Sequence, residues 1–353
     1  MVHQKPTIKD IAKLAKVSPT AVSMALNDRP RISPETRKRI LRIAKELHYQ
    51  PNFVAQSLVM KRSHTLGVII TNIMNPFYPE LAKGIKDKAL ELGYTIILCS
   101  TNYDLKLERY YINVLQSKGV DGIILSSVEV NDPNIKPLIE EGFPFILVNR
   151  RIHNRFLDRK VDYIVLDNVA GGYMAMEHLY KLGHRRIGII TGDLNVSTAV
   201  ERTEGAKKLL KKYGLKLSPN LMVESQFSKE SGYSATKKFL FMKPRPTAVF
   251  AENDYIALGV REAILEAGLR IPEDMALVGF DDIATTALKG IEITTVSQKK
   301  YDMGSLAVKI LIDKIRSGTP PMVKMVNQTI LEPELIIRSS CGYRLYGYQS
   351  ERP

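Results

Sequence analysis

Apolar side chains recur three or four positions apart in three short segments at the start of the chain. Thr7, Ser18 and Ser33 each stand immediately before one of these segments, and a proline follows two of them at the first helical position. Hydroxyl side chains and proline in these places are typical of helix starts. We therefore predict three capped helices, whose apolar faces consist of Ile8, Ile11, Ala12 and Ala15, then Val22, Ala25 and Leu26, then Ile40, Ile43, Ala44 and Leu47. Only about three residues separate the first two helices, a spacing typical of a helix-turn-helix.

Residues 51–60 form a linker with helical potential. Val54, Ala55, Leu58 and Val59 lie on one apolar stripe of this segment, but isolated helices shorter than about 12–15 residues are marginal in water. We expect the segment to fold only when it docks, with its stripe against a partner copy or another surface. Packing of the stripe on the following domain is the alternative.

From Leu66 onward, short apolar runs alternate with helical patterns, which is typical of an α/β fold with parallel strands. The predicted strands are 67–71, 94–100, 122–127, 143–149, 163–168, 186–192, 222–226, 247–253 and 275–282. Nine strands would make an overly wide single sheet, so two α/β lobes are more economical. The segments 294–298, 301–318 and 328–338 then complete the lobes.

Polar and aromatic side chains stand at the ends of these predicted strands. Phe77 and Tyr78 begin a helix after the first strand, and Asn149, Asn253 and Asp281 each end a later one. The carboxyl ends of parallel strands face a cleft where ligands usually bind. Asp and Asn match hydroxyl groups, and aromatic faces suit sugar or purine rings. Each residue alone could be a helix cap or a turn residue; together they favour a ligand site.

The basic charge is concentrated in the first sixth of the chain. The 353 residues carry a formal net charge of +14. Residues 1–62 hold 13 Lys and Arg against 4 Asp and Glu, a net charge of +9, while the remaining 291 residues hold 38 against 33. An ordinary three-helix packing unit does not need this excess, whereas a DNA-binding surface neutralises phosphates with it. We therefore predict DNA binding by the first helices.

Several other classes of protein are disfavoured. There is no run of about 18 apolar residues and no apolar signal region, so a cytoplasmic location without membrane contact is expected. Cys99 and Cys341 are 242 positions apart without a Cys/His cluster, which favours neither a disulfide framework nor a metal site. Phosphate-loop, dinucleotide and nucleophile-elbow motifs are missing from the sequence. We expect neither an enzyme nor a cofactor; a solute-binding protein of an uptake system would share the two-lobed core but lack the basic headpiece.

Over about residues 6–340, the chain resembles the lactose repressor (LacI/GalR) family of bacterial transcription regulators. The resemblance rests on TIKDIAKLAKVSPTAVSMALN, PNFVAQSL, NPFYPEL, LGHRRIGIITG, RPTAVFAEND and ALVGFDD, in this order. It implies a helix-turn-helix headpiece at 1–50, a hinge helix and linker at 51–65, a two-lobed core like that of periplasmic binding proteins at 66–340, and a disordered tail at 341–353. It also implies a homodimer on a palindromic operator, with recognition helices in the major groove and hinge helices in the minor groove.

The family's DNA contacts transfer to eleven positions of this chain. Pro19, Thr20 and Met24 match base-facing positions, and Leu58 matches the hinge leucine that wedges between base pairs. Met24 stands where the family often has arginine, which removes a possible guanine contact. The positions with a backbone-positioning or neighbouring role are Thr7, Ser18, Ser23, Asn27, Asn52, Ala55 and Gln56.

The family's effector pocket transfers to eight positions. They are Phe77, Tyr78, Asn149, Thr198, Arg202, Phe227, Asn253 and Asp281. Many sugar-responsive members carry aspartate where Asn149 stands, and Val196 replaces the ligand-binding arginine of the purine-responsive member. A sugar or sugar derivative is therefore the expected effector. The tail GYRLYGYQSERP has no heptad pattern, so a dimer rather than a coiled-coil tetramer is expected.

Overall fold

The computed structural model describes residues 6–26, 28, 30–49, 62–216, 218–317 and 326–343. The chain divides into two compact units, Met1–Ser63 and His64–Pro353. The predicted hinge segment at 51–60 and the predicted tail from 344 onward lie outside the described residues. Within those described ranges, no helix combines the length and the apolar character that crossing a membrane requires.

Three helices make up the described part of the first unit: α1 (Ile8–Ala15), α2 (Pro19–Leu26) and α3 (Pro34–Glu46). Lys16 has a left-handed φ of 52°, which ends α1 and turns the chain into α2 within three residues. The side chains buried together from all three helices are Ile11, Ala12, Ala15, Val22, Ala25, Ile40, Ile43 and Ala44. The predicted three-helix headpiece is confirmed.

The predicted caps hold the starts of these helices. The Ser18 hydroxyl accepts a hydrogen bond from the Ala21 N–H at 3.1 Å. The Ser33 hydroxyl accepts one from the Thr36 N–H at 3.3 Å. Such bonds satisfy backbone donors that have no partner within the helix, and each is worth about 1 kcal/mol.

The second unit alternates strands and helices as predicted. In chain order its elements are β1 (Thr65–Ile70), α4 (Phe77–Glu91), β2 (Thr95–Ser100), α5 (Leu105–Ser117), β3 (Gly122–Ser126), α6 (Ile135–Glu140), β4 (Phe145–Val148), α7 (Arg155–Asp158), β5 (Tyr163–Leu166), α8 (Asn168–Lys181), β6 (Ile187–Thr191), α9 (Ser197–Lys212), β7 (Met222–Glu224), α10 (Lys229–Leu240), β8 (Ala248–Ala251), α11 (Asp254–Glu266), β9 (Ala276–Val278), β10 (Thr295–Ser297), α12 (Lys300–Ser317), β11 (Gln328–Leu331) and β12 (Glu334–Ile336). Three short 3₁₀ helices, Pro219–Leu221, Ala284–Ala287 and Ser339–Cys341, complete the described elements.

Two parallel sheets define two lobes within this unit. Lobe 1 has six strands in the order β11-β5-β4-β3-β1-β2, and lobe 2 has four in the order β7-β6-β8-β9. All pairings within these two sheets are parallel, whereas β10 and β12 form a separate antiparallel pair. The predicted two-lobed α/β core is thus confirmed.

The chain crosses between the lobes three times. It leaves lobe 1 after β5, returns through α12, and leaves again after β11. Helix α12 packs beside α4 in the core of lobe 1, although more than 200 residues separate them in sequence. Gly84 allows this approach, because a Cβ atom there would lie 2.1 Å from the Tyr301 carbonyl oxygen.

The predicted tail at 341–353 includes three residues that the structure describes, 341–343. Cys341 is fully buried in the core of lobe 2. The Ser340 hydroxyl next to it donates to the Leu277 carbonyl at 2.6 Å and accepts from the Thr294 N–H at 2.9 Å. These contacts, together with the packing of Cys341 and Tyr343 in the same core, attach this segment to lobe 2.

Candidate effector pocket and DNA-contact surface

Six of the predicted DNA contacts lie in the described part of the first unit. Thr7, Ser18, Pro19 and Thr20 are exposed, and Ser23 and Met24 are half-buried. The exposed cations of the same unit are Lys9, Lys13, Lys16, Arg31, Lys38, Arg39, Arg42 and Lys45. The predicted contacts Asn27, Asn52, Ala55, Gln56 and Leu58 lie outside the described residues. An exposed α2 on a basic three-helix unit has the chemistry that phosphate and base-edge contacts require.

All eight predicted effector residues line one cavity between the lobes of the second unit, which we call the effector pocket. Lobe 1 contributes Phe77, Tyr78 and Asn149, and lobe 2 contributes Thr198, Arg202, Phe227, Asn253 and Asp281. The lining also includes Asn75, Arg150 and Gln298. Because the lining comes from both lobes, a ligand in this pocket would contact both.

Two pocket residues hold backbone conformations that are uncommon for residues with side chains. Asn149, directly after β4, has a φ of 68°, and Asp281, in the loop after β9, has a φ of 117°. Such conformations cost about 1–3 kcal/mol each and cluster at functional sites. Asn253 instead acts as the cap of α11, since its Oδ1 accepts the Ile256 N–H at 2.7 Å.

Arg202 on α9 lines the effector pocket and is 2 % exposed. Its Nε donates to Asn168 Oδ1 at 2.9 Å, and its Nη1 donates to the Glu252 carbonyl and lies 3.5 Å from Asp281 Oδ1. The guanidinium also stacks on the Phe280 ring, 3.7 Å from the centroid. These contacts fix the planar fork in one orientation, which favours recognition of paired oxygen atoms.

Asp281 is the buried carboxylate of the pocket. Burial raises its pKa to about 6, although Arg202, Lys300 and a hydrogen bond from Gln298 favour the charged form. The Lys300 ammonium donates to the Asp281 carbonyl at 2.6 Å and to the Asp282 carbonyl at 2.7 Å. The same ammonium lies 3.2 Å from a carboxylate oxygen of Glu80 in lobe 1. Lys300 therefore ties lobe 1 to the backbone of the pocket's carboxylate.

Some polar atoms of the pocket have no hydrogen-bond partner within the protein. They are Asn149 Oδ1, Gln298 Oε1 and Arg150 Nε. A buried polar group without a partner costs about 1–3 kcal/mol, so such groups are rare unless they serve a ligand or ordered water. Two acceptors and one donor on residues that line one cavity match the mixed hydrogen-bonding capacity of hydroxyl groups.

A second set of contacts joins the lobes beside the pocket. Glu201 on α9 accepts hydrogen bonds from Arg151 Nε at 2.7 Å and pairs with His153 Nε2 at 3.1 Å, both from lobe 1. Its other oxygen accepts from Asn168 Nδ2 at 3.2 Å. The Ser197 hydroxyl, also on α9, accepts the Arg151 N–H at 3.0 Å. We call Arg151, His153 and Glu201 the inter-lobe latch.

Two known sequence families match separate parts of the chain. The pattern described as periplasmic binding proteins and sugar binding domain of LacI family matches residues 63–331. The pattern of bacterial regulatory proteins of the lacI family matches residues 7–52.

The chain belongs to the LacI family.

Individual members of the LacI family align with the chain almost from end to end. The HTH-type transcriptional repressor PurR of Aliivibrio salmonicida is 34 % identical over 337 residues, covering 95 % of this chain and 98 % of that protein. The ribose operon repressor of Haemophilus influenzae is 35 % identical over 334 residues, with the same coverage. The crystal structure of the lac repressor dimer bound to operator and an anti-inducer has a TM-score of 0.85 at 26 % identity, covering 96 % and 99 % of the two chains. The predicted resemblance is confirmed, and these relatives are regulators rather than enzymes.

Sequence reasoning missed three residues that line the pocket of this LacI-family core. Gln298 follows β10, so it stands at a strand end as Asn149 does, and the same rule would have identified it. Arg150 is the neighbour of Asn149, and Asn75 precedes the aromatic pair. No sequence pattern distinguishes these two from ordinary loop residues, because their place in the lining depends on how the loop folds.

Proposed function

We propose that this LacI-family protein is a transcriptional repressor that binds a palindromic operator as a homodimer. A sugar or sugar derivative binds between the lobes and controls DNA affinity. The cavity lined from both lobes by the eight predicted residues carries the proposal. The protein would then act in the cytoplasm, on the nucleoid.

The DNA half of the proposal rests on the first unit. Ser18, Pro19 and Thr20 form the exposed start of α2, and N-terminal residues of a recognition helix contact base edges in the major groove. A single headpiece offers a small interface, so two copies on an inverted repeat are needed for useful specificity. In this proposal the hinge leucine, Leu58, adds a minor-groove wedge.

The homodimer is supported by the edge of lobe 1. Strand β2 ends the six-stranded sheet, and its residues are exposed or half-buried along their whole length. Leu98 in this strand is 37 % exposed, and Leu90 on the neighbouring helix α4 is 69 % exposed. An apolar strand edge left open invites pairing or aggregation, and a second copy of the chain would cover it. The structural relative bound to operator is a dimer.

Two features support a sugar rather than a purine as the proposed effector. The lining presents Asp281, Asn149, Asn253 and Arg202, which pair with hydroxyl groups, beside the ring of Phe227. Val196 places an apolar side chain where the resemblance to the purine-responsive member would require arginine. PurR is nevertheless a close relative, so purines belong in the test.

The coupling between effector and DNA would work through lobe closure. A ligand touching both lobes stabilises one lobe arrangement relative to the other by the difference in its contacts. Lys300 connects the Asp281 backbone to Glu80 in lobe 1, so a change at Asp281 is transmitted across the crossover. The free energy by which the ligand changes operator affinity must then equal the free energy by which the operator changes ligand affinity.

The test measures operator binding and effector binding separately. Fluorescence anisotropy with inverted-repeat oligonucleotides selected from a random pool should show salt-sensitive binding that scrambled duplexes do not match. Leu58→Ala should weaken operator binding and leave the fold of the core unchanged. Thermal shift with monosaccharides, disaccharides, sugar phosphates and hypoxanthine then identifies the effector class.

Asp281→Asn provides the discriminating variant, and Asp302→Asn, in the first turn of α12, provides a control of the same chemistry. Only Asp281→Asn should abolish the effector response, and operator binding should persist in both. No preference for any inverted repeat would reject the repressor, whereas a response to hypoxanthine alone would reject the sugar.

A further inference from the structure

A basic surface lies at the end of lobe 2 opposite the effector pocket. The pocket residues of lobe 2 follow the carboxyl ends of its strands. Four other segments lead from helices toward these strands and therefore meet at the amino-terminal edge of the sheet. Together with the last turns of the helices before them, these segments are 180–186, 211–216, 237–247 and 267–275. We call them the basic end of lobe 2.

The charge of the second unit is concentrated at this end. The four segments hold eleven Lys and Arg against two Asp and Glu, a net charge of +9. The other residues after position 62 hold 27 Lys and Arg against 31 Asp and Glu, so the second unit is net acidic outside its basic end. Like charges gathered on one surface repel each other, and an anionic partner would relieve this repulsion.

Contacts between the first three segments make them one continuous surface. The rings of Tyr180 and Tyr213 stack with their centroids 4.0 Å apart, which joins 180–186 to 211–216. The guanidinium carbon of Arg185 lies 3.9 Å from the Tyr180 ring centroid on the same stack. The Nε of Arg186 donates to the Pro244 carbonyl at 2.9 Å, which joins 180–186 to 237–247.

The fourth segment continues this surface. The Asp274 carboxylate accepts hydrogen bonds from Arg270 Nε at 2.9 Å and Nη2 at 3.2 Å. These bonds and, more weakly, the charge of Arg245 in the third segment lower the pKa of Asp274 to about 2. The segments are thus connected in the order of the strands that they enter, β7-β6-β8-β9. Adjacent strands lie about 4.8 Å apart, so the surface is at least about 14 Å wide.

Most cations of the basic end have no carboxylate partner. Within the part of the chain that the structure describes, four of the eleven pair with Glu177, Glu266 or Asp274, and seven form no ion pair within 4 Å. Six of these seven are exposed, and Arg186 is half-buried. The seven are Arg185, Arg186, Lys211, Lys216, Lys238, Lys243 and Arg245. Their charges are available to a partner.

The composition of this surface fits DNA better than a protein. Protein interfaces have an apolar core from which charged residues are depleted, lysine among them. Of the described residues in the four segments, Phe241 is the one exposed large apolar side chain, at 84 %. Duplex DNA carries one phosphate charge per about 1.7 Å of its axis, so a 14 Å length carries about eight phosphates, close to the number of unpaired cations. A small anion would need only two or three of them.

We propose that the basic end of lobe 2 is a second DNA-binding surface, which binds the phosphate backbone of duplex DNA without sequence preference. Phosphate contacts hold DNA in place but carry no sequence information. The inference goes beyond the proposed operator binding, because neither the headpiece nor the hinge takes part. A molecule that holds its operator through the headpiece can then hold another segment of DNA through lobe 2.

Fluorescence anisotropy on the full chain tests this surface. Protein loaded with one equivalent of unlabelled inverted-repeat operator is titrated into a labelled duplex of scrambled sequence, about 20 base pairs long, at about 50–200 mM salt. We expect a dissociation constant of about 1–100 μM that rises steeply with salt, as it does for non-specific phosphate contacts.

Two matched variants locate the contact. The test variant carries four changes at the basic end: Lys211→Gln, Lys216→Gln, Lys243→Gln and Arg245→Gln. The control variant loses the same number and kind of exposed cations from lobe 1: Lys106→Gln, Lys118→Gln, Arg159→Gln and Lys160→Gln. The test variant should bind the scrambled duplex at least about tenfold more weakly, with a salt slope smaller by about 3–4, because each lost phosphate contact lowers the slope by about 1. The control variant should stay within about twofold of the wild type, and both should bind the operator like the wild type.

The outcomes separate this surface from other partners and from the proposed function. Equal binding of the scrambled duplex by both variants would overturn the inference, as would the absence of such binding by operator-loaded protein. Tighter binding of a polyglutamate peptide or of phosphatidylglycerol vesicles than of the duplex, lost in the test variant, would assign the basic end to an acidic protein or a membrane instead. If no inverted repeat is bound specifically, the repressor is rejected, but the same two variants of the free protein still decide whether lobe 2 binds DNA.

Discussion

Replacing Glu201 by glutamine should loosen the contact between the lobes. The substitution keeps the size of the side chain and one acceptor oxygen but removes the charge that Arg151 and His153 contact at 2.7 and 3.1 Å. The side chain of Glu201 is only 5 % exposed, so water does not easily replace Arg151 and His153 as its hydrogen-bond partners. The exposed Glu204 on the same helix, paired with Lys208 at 2.8 Å, provides the matched control.

The magnitude follows from the hydrogen bonds. A hydrogen bond to a charged group contributes about 1.5–3 kcal/mol, and the contribution of His153 is smaller because its side chain is 35 % exposed. Glu201→Gln should therefore lower the free energy of unfolding by about 2–3 kcal/mol, which is roughly 3–5 °C in Tm for a protein of this size. Glu204→Gln should stay within about 0.5 kcal/mol of the wild type.

The pH dependence gives a second signature of the latch. Burial raises the pKa of Glu201, but hydrogen bonds from His153, Arg151 and Asn168 together with the Arg151 charge lower it below its ordinary value of 4.5. The unfolded chain then binds a proton more readily, so the stabilisation is fully present above pH 4.5 and is lost as the pH falls through the folded-state pKa.

Thermal unfolding of the full chain at pH 7 and at pH 4 measures both effects. The difference between wild type and Glu201→Gln should shrink at the lower pH, while that of Glu204→Gln stays near zero. Equal losses in the two variants, or a Glu201 effect that is the same at both pH values, would refute the latch.

Three further predictions concern helix packing, capping and a buried acid. Gly84→Ala should lower the free energy of unfolding by about 2–3 kcal/mol, because the new methyl group would collide with the Tyr301 carbonyl oxygen. Urea denaturation measures this loss, and an unchanged midpoint would contradict the close approach of the two helices. Ser33→Ala should destabilise the headpiece by about 1 kcal/mol, because the hydrogen bond to the Thr36 N–H is lost. Hydrogen exchange of the backbone amides at the start of α3 should then be faster than in the wild type, and equal exchange rates would refute the cap. Burial raises the pKa of Glu252 to about 8, so the folded protein holds a proton there that the unfolded chain releases near pH 4.5. The wild type should therefore lose stability relative to Glu252→Gln as the pH rises from 4.5 to 8, and parallel curves of stability against pH would disprove the raised pKa.

The sequence predicts best what depends on neighbouring residues. The caps at Ser18 and Ser33 need only the first turn that follows them, and the strands of both lobes follow from local apolar runs. The pocket is predictable for a related reason, because the carboxyl ends of parallel strands meet at one edge of a sheet. Asn149 and Asp281 therefore share a cavity although 132 positions separate them.

Contacts between lobes are not predictable in this way. The contact of Arg151 with Glu201, and that of Lys300 with the Asp281 carbonyl, depends on the angle that three crossovers impose on two separate sheets. The return of α12 to lobe 1 beside α4 is equally invisible, since its apolar face would suit either lobe. The resemblance ends at about residue 340 and therefore leaves Cys341 in the predicted tail, whereas Cys341 is buried in the core of lobe 2.

The cleft concentrates groups that a protein built only for stability would avoid. Arg202 and Lys300 are buried cations, and Asn149 and Asp281 hold left-handed backbone conformations. Buried ion pairs can often be replaced by apolar side chains without loss of stability, so stability does not account for them. They suit instead the proposed control by a ligand: Lys300 and Glu201 join the lobes directly, and a ligand that contacts both lobes could shift the balance between two arrangements of the lobes only by its difference in affinity for them. The inter-lobe contacts therefore set how much binding energy the effector must supply.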